Sequence, residues 1–305
     1  MHLIFLGTPA FAVPTLESLV AAGHDVACVV TQPDRPSGRG QRLTASPVKE
    51  AALRFGLSVY QPARIRRPEA VAALAGLKPD AMVVVGYGQI IPQAAIDIPP
   101  HGILNVHASL LPKYRGAAPV QWAVANGETR TGVTIMRIDA GLDTGEMLRK
   151  AETAIGPEET AVELGARLAA TGAALLVETL EKIDAIEPEK QDASQATYAP
   201  LLKKEDGLID WRQPARAIHN RVRGMQPWPG AYTRFRGQQM HIWKSRVAAG
   251  GWGGPGSLAR RPLRAACGEG SLELIEVQLE GRKRITAEEF ANGQRIADND
   301  ILGAS

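Results

Sequence analysis

Residues 2–31, HLIFLGTPAFAVPTLESLVAAGHDVACVVT, contain the clearest alternation of strand and helix patterns in the N-terminal part of the chain. A short apolar run ends at the turn-forming residues Gly7–Pro9, and apolar residues then recur at the spacing of a helix. Gly23 ends this helix, and a second apolar run follows it over residues 25–31. This order of strand, helix and strand predicts a βαβ unit with two parallel strands.

The same alternation continues through the N-terminal two-thirds of the chain. Further apolar runs are typical of buried strands, namely LSVYQ, DAMVVVGYG, GILNVH and TGVTIMRID. Apolar strands that alternate with amphipathic helices predict an α/β fold with a Rossmann-like, doubly wound and mostly parallel sheet. A long Ala- and Leu-rich helix from about Glu158 to Ile183 is expected to close this domain.

The turn after the first strand lacks the signature of dinucleotide binding. The pattern G-x-G-x-x-G is absent, and Pro9 and Phe11 stand where the backbone would have to approach a pyrophosphate. We therefore expect no nicotinamide cofactor, despite the Rossmann-like order of strands and helices.

The chain changes character after a polar segment that contains prolines. We expect residues 1–188 to form an N-terminal domain, residues 189–206 a surface linker and residues 207–305 a small C-terminal domain. In this last part, one helix precedes short alternating runs separated by Gly-rich turns, which favours a small β-barrel. Thr286 and Glu289 have the spacing of a capping box, which predicts a short helix over residues 286–292.

The net charge of +3 is unevenly distributed along the chain. Residues 207–305 contain 15 Lys and Arg against 9 Asp and Glu, whereas residues 1–206 contain 20 against 23. A basic C-terminal third indicates a polyanionic partner such as a nucleic acid. Because many solvated surfaces are equally basic, the charge alone identifies no partner.

The composition narrows the class of protein. No apolar stretch approaches the roughly 20 residues that a membrane span needs. The first strand begins at His2, so we expect no targeting peptide. Cys28 and Cys267 are the only cysteines, and their separation favours neither a disulfide framework nor a metal site. We expect a cytoplasmic monomer without metal, in which Cys28 is a small buried apolar residue.

Polar residues near the ends of predicted strands form the first candidate site. Asn105 and His107 share one side of a strand, because side chains alternate with a period of two. Asp139 and Asp143 lie in a Gly-containing loop after another strand. An amide and an imidazole can donate to a developing oxyanion, and a carboxylate can orient the imidazole or manage the proton of an attacking amine. The alternative is a structural role for the Asn and the His.

The same set of residues favours direct acyl transfer. Ser109 lies close to His107 in the sequence, but it lacks the G-x-S-x-G pattern of an activated nucleophile. No other Ser or Cys stands in a pattern typical of nucleophilic catalysis. We therefore expect a reaction without a covalent enzyme intermediate.

Two further stretches follow predicted strands. Gly86–Gly88 is consistent with a ligand crevice and with a plain turn. Residues 31–47 form a long Pro- and Gly-rich loop with Arg35, Arg39 and Arg42. Loops longer than about 12–15 residues are usually functional or disordered, and arginines among small residues suit a phosphate backbone. A solvated mobile loop is the alternative.

The chain resembles the folate-dependent formyltransferase family. The segment NVHASLLPKYRGAAPVQWAV, followed by GLDTG, is similar to the N-x-H segment and the downstream Asp of that family. The resemblance runs essentially from end to end through LGTPAF, TQPDRPSGRG, VVVGYG, GVTIMRID, IDW and PWPGAY. The N-x-H segment alone indicates the broad family, whereas the arginine loop and the C-terminal region narrow the acceptor to tRNA.

The resemblance implies a reaction. The formyl group of the co-substrate 10-formyltetrahydrofolate would pass to the α-amino group of methionine on initiator methionyl-tRNA, for use in translation initiation. Asn105 and His107 would stabilise the tetrahedral intermediate, and Asp143 would assist proton transfer. The C-terminal domain would be an OB-like barrel that binds the tRNA.

The resemblance also implies binding residues. Folate would contact two turns, formed by Ser109, Leu110, Leu111 and Pro112 and by Gly86, Tyr87 and Gly88. Phe11 would line the pocket for the methionine side chain, and Arg35, Arg39 and Arg42 would bind the tRNA. Three alternatives stay open: formylation of another amine such as an amino sugar, hydrolysis of the folate, and a non-catalytic nucleic-acid-binding protein.

Overall fold

The computed structural model describes residues 1–37, 42–297 and 300–303. The chain divides into two units, and each draws on separate stretches of the sequence. The first unit contains residues 1–116, 131–153 and 165–198, and the second contains residues 117–130, 154–164 and the chain from Ala199 onward. Two segments inside the predicted N-terminal domain therefore belong to the second unit. The boundaries at residues 188 and 206 stay a prediction.

Strands and helices alternate over the first 181 residues, as the sequence predicts. The strands are β1 (His2–Gly7), β2 (Asp25–Val30), β3 (Arg35–Ser37), β4 (Arg42–Thr44), β5 (Val59–Tyr60), β6 (Ala81–Val85), β7 (Ile103–His107), β8 (Arg115–Gly116), β9 (Arg130–Arg137) and β10 (Met147–Ala154). The helices are α1 (Val13–Ala21), α2 (Pro47–Arg54), α3 (Pro68–Gly76), α4 (Gln93–Ile96), α5 (Pro119–Ala125) and α6 (Ala161–Glu181).

The first unit is built on a mostly parallel sheet, which confirms the predicted fold class. Its strands lie in the order β10-β9-β7-β6-β1-β2-β5. The strands from β7 to β5 pair in parallel, and β9 runs antiparallel to β7. All five residues of β6 are buried, because a central parallel strand is covered on both faces. The sheet therefore holds the ends of several strands at one edge.

The stretch 31–47 differs from the expected loop. Within its described residues, β3 and β4 form an antiparallel hairpin in which Arg35 pairs with Thr44 and Ser37 with Arg42. The prediction of a loop is wrong for these six residues, because pairing gives their backbone groups partners that a loop would leave to water. Residues 38–41, with Arg39 among them, lie outside the described residues.

The second unit contains an antiparallel sheet, which confirms the predicted C-terminal β domain. The remaining elements of the chain are β11 (Tyr198–Ala199), α7 (Ala215–Gly224), β12 (Ala231–Phe235), β13 (Gln238–Ala248), β14 (Leu258–Ala259), β15 (Arg264–Ala266), β16 (Ser271–Leu279), β17 (Ile285–Thr286) and α8 (Ala287–Gly293). The sheet has the order β12-β13-β16-β15-β14, and β17 pairs with β16.

Local predictions in both units are confirmed. At the start of α8, Thr286 Oγ1 accepts a hydrogen bond from the Glu289 amide at 3.2 Å, and the Thr286 amide donates to Glu289 Oε2 at 2.9 Å. This is the predicted capping box. Cys28 is buried beside apolar residues of the first unit, as expected. In the described part of the chain, no helix is long and apolar enough to cross a membrane.

A buried histidine links three segments of the second unit. His219 on α7 is 1% exposed, and its Nδ1 lies 3.0 Å from Ser245 Oγ on β13. Its Nε2 lies 3.5 Å from a carboxylate oxygen of Glu158. Burial lowers the pKa of His219, and the charges of Arg223 and Arg216 lower it further against the opposing charge of Glu158. His219 therefore favours its neutral form in the folded chain.

We expect His219 to make the second unit less stable at acid pH. Because its pKa is lower in the folded than in the unfolded chain, the unfolded chain takes up the proton first as pH falls below about 6.5, and the free energy of unfolding decreases. The variant His219→Gln keeps an amide for Ser245 but cannot be protonated. Between about pH 7.5 and 5.5, its melting temperature should fall less than that of the wild type.

Thermal melts at the two pH values measure this difference. His101→Gln in the first unit is the matched control, and it should follow the wild type. An identical pH dependence in His219→Gln and the wild type would show that His219 does not destabilise the fold at acid pH.

Candidate functional site

The candidate site lies where the parallel strands of the first unit end. Open α/β sheets bind ligands beyond the carboxyl ends of their strands. Strand β7 ends at His107, β6 leads into Gly86–Gly88, and β1 leads into Thr8 and Pro9. Two predicted catalytic residues, Asn105 and His107, and one predicted folate segment therefore share an edge of the sheet.

Asn105, His107 and Asp143 lie together at this edge. Asn105 Nδ2 donates to Asp143 Oδ1 at 3.5 Å, and His107 Nδ1 lies 3.7 Å from Asp143 Oδ2. The amide of Gly116 donates to the same Oδ2 at 2.8 Å. The Asp143 side chain is 18% exposed, so one carboxylate meets both the protein interior and the open edge.

The imidazole of His107 is held by its far nitrogen. Its Nε2 lies 2.9 Å from the carbonyl oxygen of Tyr114, and the residue is 5% exposed. Because a carbonyl oxygen only accepts hydrogen bonds, Nε2 carries a proton in this arrangement. Nδ1 is then the ring nitrogen that faces Asp143.

The two aspartates of the loop after β9 have different positions. Asp139 is exposed, and its Oδ1 accepts hydrogen bonds from Thr144 Oγ1 at 2.7 Å and from the Gly141 amide at 3.0 Å. It therefore shapes the loop. Asp143 points to Asn105 and has a backbone φ of +50°, a left-handed conformation that costs a residue other than glycine roughly 1–3 kcal/mol. Asp143 keeps this conformation only while its surroundings hold it.

Sequence reasoning missed two residues that hold the Asp143 loop. Gln191 Nε2 donates to the carbonyl oxygens of Asp143 and Gly145, both at 2.8 Å. Arg115 donates from Nε and Nη2 to Gln191 Oε1 at 3.0 and 2.7 Å. Gln191 lies in the segment predicted to be a linker, where no periodicity or motif distinguishes it from the neighbouring polar residues.

The turn after β7 exposes little of its side chains. Ser109 is buried, and its hydroxyl donates to the carbonyl oxygen of Lys113 at 2.6 Å. Leu111 is packed in the core, whereas Leu110 and Pro112 are half-buried. Ser109 and Leu111 therefore have only backbone groups to offer a ligand, and the folate contacts of this turn stay a prediction.

A cavity of about 440 Å³ opens at the ends of β1, β2 and β6. It is lined by Thr8, Pro9, Gln32, Pro33, Arg35, Thr44, Ser46, Pro47, Gly86, Tyr87 and Gly88. Gly86 and Gly88 have φ values of +58° and +85° and are exposed, so their backbone is accessible where β6 ends. The cavity thus brings two predicted folate-binding glycines next to Arg35, a predicted tRNA-binding residue.

Tyr87 takes part in this cavity through its backbone. Its side chain is 1% exposed and packs in the apolar core, and burial raises the pKa of Tyr87 to about 12. Its carbonyl oxygen accepts hydrogen bonds from Thr8 Oγ1 at 3.0 Å and from Gln32 Nε2 at 3.1 Å. The predicted folate contact of Tyr87 is therefore limited to its main chain.

The hairpin of β3 and β4, called the arginine hairpin below, is held by side-chain contacts at the residue before β3. Asp34 accepts from Lys49 Nζ at 2.6 Å and from Gln61 Nε2 at 2.8 Å. These two hydrogen bonds hold the pKa of Asp34 below its usual range, so the carboxylate stays charged. Arg35 follows directly and lines the cavity, whereas Arg42 lies on β4 on the other side of the hairpin.

Phe11, the predicted methionine-pocket residue, is not among the residues that line this cavity. Phe11 is half-buried in a single 3₁₀ turn, Ala10–Ala12, that follows β1. Pro9, which lines the cavity, is the N-cap of this turn, and the methionine contact of Phe11 stays a prediction. Among the residues that the structure describes, no group of three or more His, Cys, Asp or Glu side chains is placed to hold a metal ion.

Both parts of the chain match known protein families. Residues 1–180 match the family described as formyl transferase, and residues 201–295 match the formyl transferase C-terminal domain. The methionyl-tRNA formyltransferase of Solibacter usitatus is 70% identical over 307 residues, which cover 99% of this chain and 99% of that protein.

Solved structures show the same fold at low sequence identity. The N-formyltransferase from Helicobacter canadensis, in complex with folinic acid and dTDP-3-aminofucose, is 18% identical with a TM-score of 0.66, over 93% of this chain and 99% of that one. HypX from Aquifex aeolicus, in complex with tetrahydrofolic acid, is 15% identical with a TM-score of 0.65, over 95% of this chain. The chain spans 46% of the length of HypX.

Proposed function

The chain belongs to the formyl transferase family, and from this premise we propose that it formylates initiator methionyl-tRNA. The formyl group of 10-formyltetrahydrofolate passes to the α-amino group of the methionine, and the product serves translation initiation. The observation that carries this proposal is the 70% identity with a methionyl-tRNA formyltransferase across 99% of both chains. The reaction uses the cytoplasmic pool of charged tRNA, so we assign the enzyme to the cytoplasm.

The proposed chemistry is direct transfer. The α-amino nitrogen attacks the formyl carbon, the bond between that carbon and N10 of the folate breaks, and the proton lost by the amine returns to N10. Asn105 Nδ2 donates to the oxyanion of the tetrahedral intermediate, and His107 donates there from Nδ1 once that nitrogen carries a proton, because its Nε2 is held by the Tyr114 carbonyl. Asp143 accepts and returns the proton, and its position beside both residues supports this role.

The folate is proposed to lie along two backbone segments. Gly86 and Gly88 are exposed and line the cavity, which supports a contact between their main chain and the flat ring system of the folate. The half-buried Leu110 and Pro112, with the backbone of Ser109 and Leu111, form the second segment. This arrangement would leave the formyl group near His107, at the end of β7.

The tRNA is proposed to enter from the arginine hairpin. Donor and acceptor must meet for the transfer, and the cavity that joins Gly86–Gly88 to Arg35 supports such a meeting. Arg39 and Arg42 are proposed to bind the tRNA as well, and Phe11 would contact the methionine side chain. The basic residues 207–305 would add contacts to the phosphate backbone.

Other acceptors are less well supported. The likeness to the amino-sugar formyltransferase structure, at 18% identity, shows the shared fold alone. A small-molecule acceptor gives no reason for a basic C-terminal third. Hydrolysis of the folate would leave the arginine hairpin without a partner.

One assay tests the proposal. The enzyme receives 10-formyltetrahydrofolate with methionine charged on initiator tRNA or on elongator tRNA, and formylmethionine is followed at two salt concentrations. We expect fast, salt-sensitive formylation that is confined to the initiator. Folate turnover without formylmethionine would contradict the assigned acceptor. Absence of folate turnover would contradict the proposal that the protein catalyses formyl transfer from folate.

Arg35→Ala is expected to weaken the use of tRNA without affecting folate. Loss of one phosphate contact should lower kcat/KM for charged tRNA by about fivefold to twentyfold. It should also reduce the slope of log kcat/KM against log salt concentration by about one. The KM for 10-formyltetrahydrofolate should not change. Lys182→Ala, which removes an exposed positive charge after α6, is the matched control. Equal kcat/KM values for the two variants would remove Arg35 from the tRNA site.

A further inference from the structure

We propose that Gln191 is a positioning residue for the reaction, which acts by holding the Asp143 loop in its active geometry. This inference rests on the proposed role of Asp143 and adds a residue that neither matched family region contains, since these regions end at residue 180 and begin again at residue 201. The contacts of Gln191 with Arg115 on one side and the Asp143 loop on the other carry the argument.

The amide of Gln191 has only one orientation that satisfies its neighbours. Arg115 presents two N–H groups, which only donate, and the carbonyls of Asp143 and Gly145 only accept. The amide oxygen must therefore face Arg115, and the amide nitrogen must face the loop. Both hydrogens of Nε2 are then used on two carbonyls of the same loop, at 2.8 Å each. This double contact fixes the loop backbone on both sides of Thr144.

The charge of Arg115 strengthens these contacts. Arg115 is 5% exposed, and its guanidinium donates twice to Gln191 Oε1. A charged donor polarises the amide, which makes Nε2 a better donor to the loop carbonyls. The chain of contacts thus runs from a buried cation through one amide to the backbone of Asp143.

Asp143 is held at two points by neighbouring residues. Gln191 binds its backbone carbonyl, and the amide of Gly116, the residue after Arg115, binds its carboxylate at 2.8 Å. Since Asp143 has a left-handed backbone, it needs such support to stay in place. Release of the backbone would let the carboxylate move away from Asn105 and His107.

The segment that carries Gln191 also supports His107. The Tyr114 amide donates to Thr197 Oγ1 at 2.8 Å, and the Arg115 amide donates to the Thr197 carbonyl at 2.9 Å. Tyr114 in turn accepts from His107 Nε2. The stretch from Gln191 to Thr197 is thus fastened to the residues that orient both Asp143 and His107.

Two substitutions separate the two sides of the amide. Gln191→Leu removes all its hydrogen bonds. Gln191→Glu keeps an oxygen for Arg115, as an ion pair, but turns a second oxygen toward the two loop carbonyls and repels them. We expect both variants to lower kcat by about tenfold to a hundredfold with unchanged KM for folate and tRNA, because misplacement by about 1 Å can cost this much. A kcat for Gln191→Glu near the wild-type value would overturn the proposal. It would show that only the contact with Arg115 matters and that the hydrogen bonds to the Asp143 loop do not.

A double-mutant cycle tests whether Gln191 acts through Asp143. In the Asp143→Asn background, Gln191→Leu should cause less than a twofold further loss, because the group that it positions is already gone. A purely structural role would instead lower kcat by the same factor in both backgrounds and would overturn the proposal. Gln238→Leu, the same change at an exposed position of β13, is the control and should retain wild-type kinetics.

The wild-type assay keeps this test separate from the proposed function. If the wild-type enzyme does not formylate methionyl-tRNA, the proposed function fails. If it does so and Gln191→Leu matches it in kcat, only the positioning role fails.

Discussion

Replacing Asp143 with asparagine is expected to lower kcat by about 100-fold to 10,000-fold while the fold remains intact. Asparagine has the same shape, and its amide oxygen can still accept from the Gly116 amide, which now lies 2.8 Å from Asp143 Oδ2. The amide nitrogen would then face Asn105 Nδ2, so two donors would meet where a donor meets a carboxylate. The variant has no group that can accept and return the proton of the attacking amine.

Single-turnover formylation of charged initiator tRNA measures this loss, and circular dichroism and thermal melts check the fold. Asp139→Asn is the matched control, because it makes the same chemical change in the same loop at an exposed residue. Its oxygen can still accept from Thr144, so we expect kcat within about threefold of the wild type, under about 1 kcal/mol. An Asp143→Asn enzyme as active as this control would exclude Asp143 from the mechanism.

His107→Gln is expected to lower kcat by about 100-fold to 1,000-fold. A glutamine amide can still donate to the Tyr114 carbonyl, as His107 Nε2 does at 2.9 Å, so the turn after β7 should keep its shape. It cannot provide the second ring nitrogen, Nδ1, that faces Asp143. The oxyanion would lose a donor that can carry positive charge.

The kinetic constants of His107→Gln distinguish a role in catalysis from a role in binding. We expect kcat to fall while the KM values for folate and tRNA change little, because the lost interaction forms in the transition state. His101→Gln, two residues before β7, is the control and should behave as the wild type. A variant with normal kcat and raised KM would assign His107 to substrate binding instead.

These predictions and those for Gln191 concern one arrangement, in which neighbouring segments hold a single carboxylate. Asn105 and His107 come from β7, Gly116 from β8 and Gln191 from the segment after α6. We expect Asp143→Asn and His107→Gln to lose more activity than Gln191→Leu. The size of the loss would then follow the distance of each residue from the reacting atoms. The residues that contact substrate would then have larger effects than the residue that positions one of them.

Much of the fold follows from local sequence patterns. The apolar run Ala81–Val85 is buried along its whole length, as a central parallel strand requires, and the capping box at Thr286 starts α8. The alternation in residues 2–31 correctly predicts β1, α1 and β2. The sequence also predicts that Asn105 and His107 share one side of β7, because side chains along a strand alternate with a period of two.

Other features depend on contacts between distant residues. The hairpin of β3 and β4 was not predicted, because its short strands contain Pro and Arg and show no apolar alternation. Ser109 and Leu111, expected to contact folate, direct their side chains inward, which their sequence neighbours do not indicate. The assignment of residues 117–130 and 154–164 to the second unit is likewise a result of tertiary packing.

Local periodicity and spacing in the sequence therefore predict the α/β class and the C-terminal β domain. They also predict that Asn105 and His107 lie on one side of the same strand. Spacing alone does not distinguish Asp139 from Asp143; folding brings Asp143, the residue that the family resemblance implies, beside Asn105 and His107 and leaves Asp139 exposed. The tertiary structure also decided that Gln191, a polar residue in a segment without periodicity, holds the Asp143 loop. Hydrogen bonds between residues far apart in sequence leave no local pattern, because each partner satisfies the other only after the chain has folded.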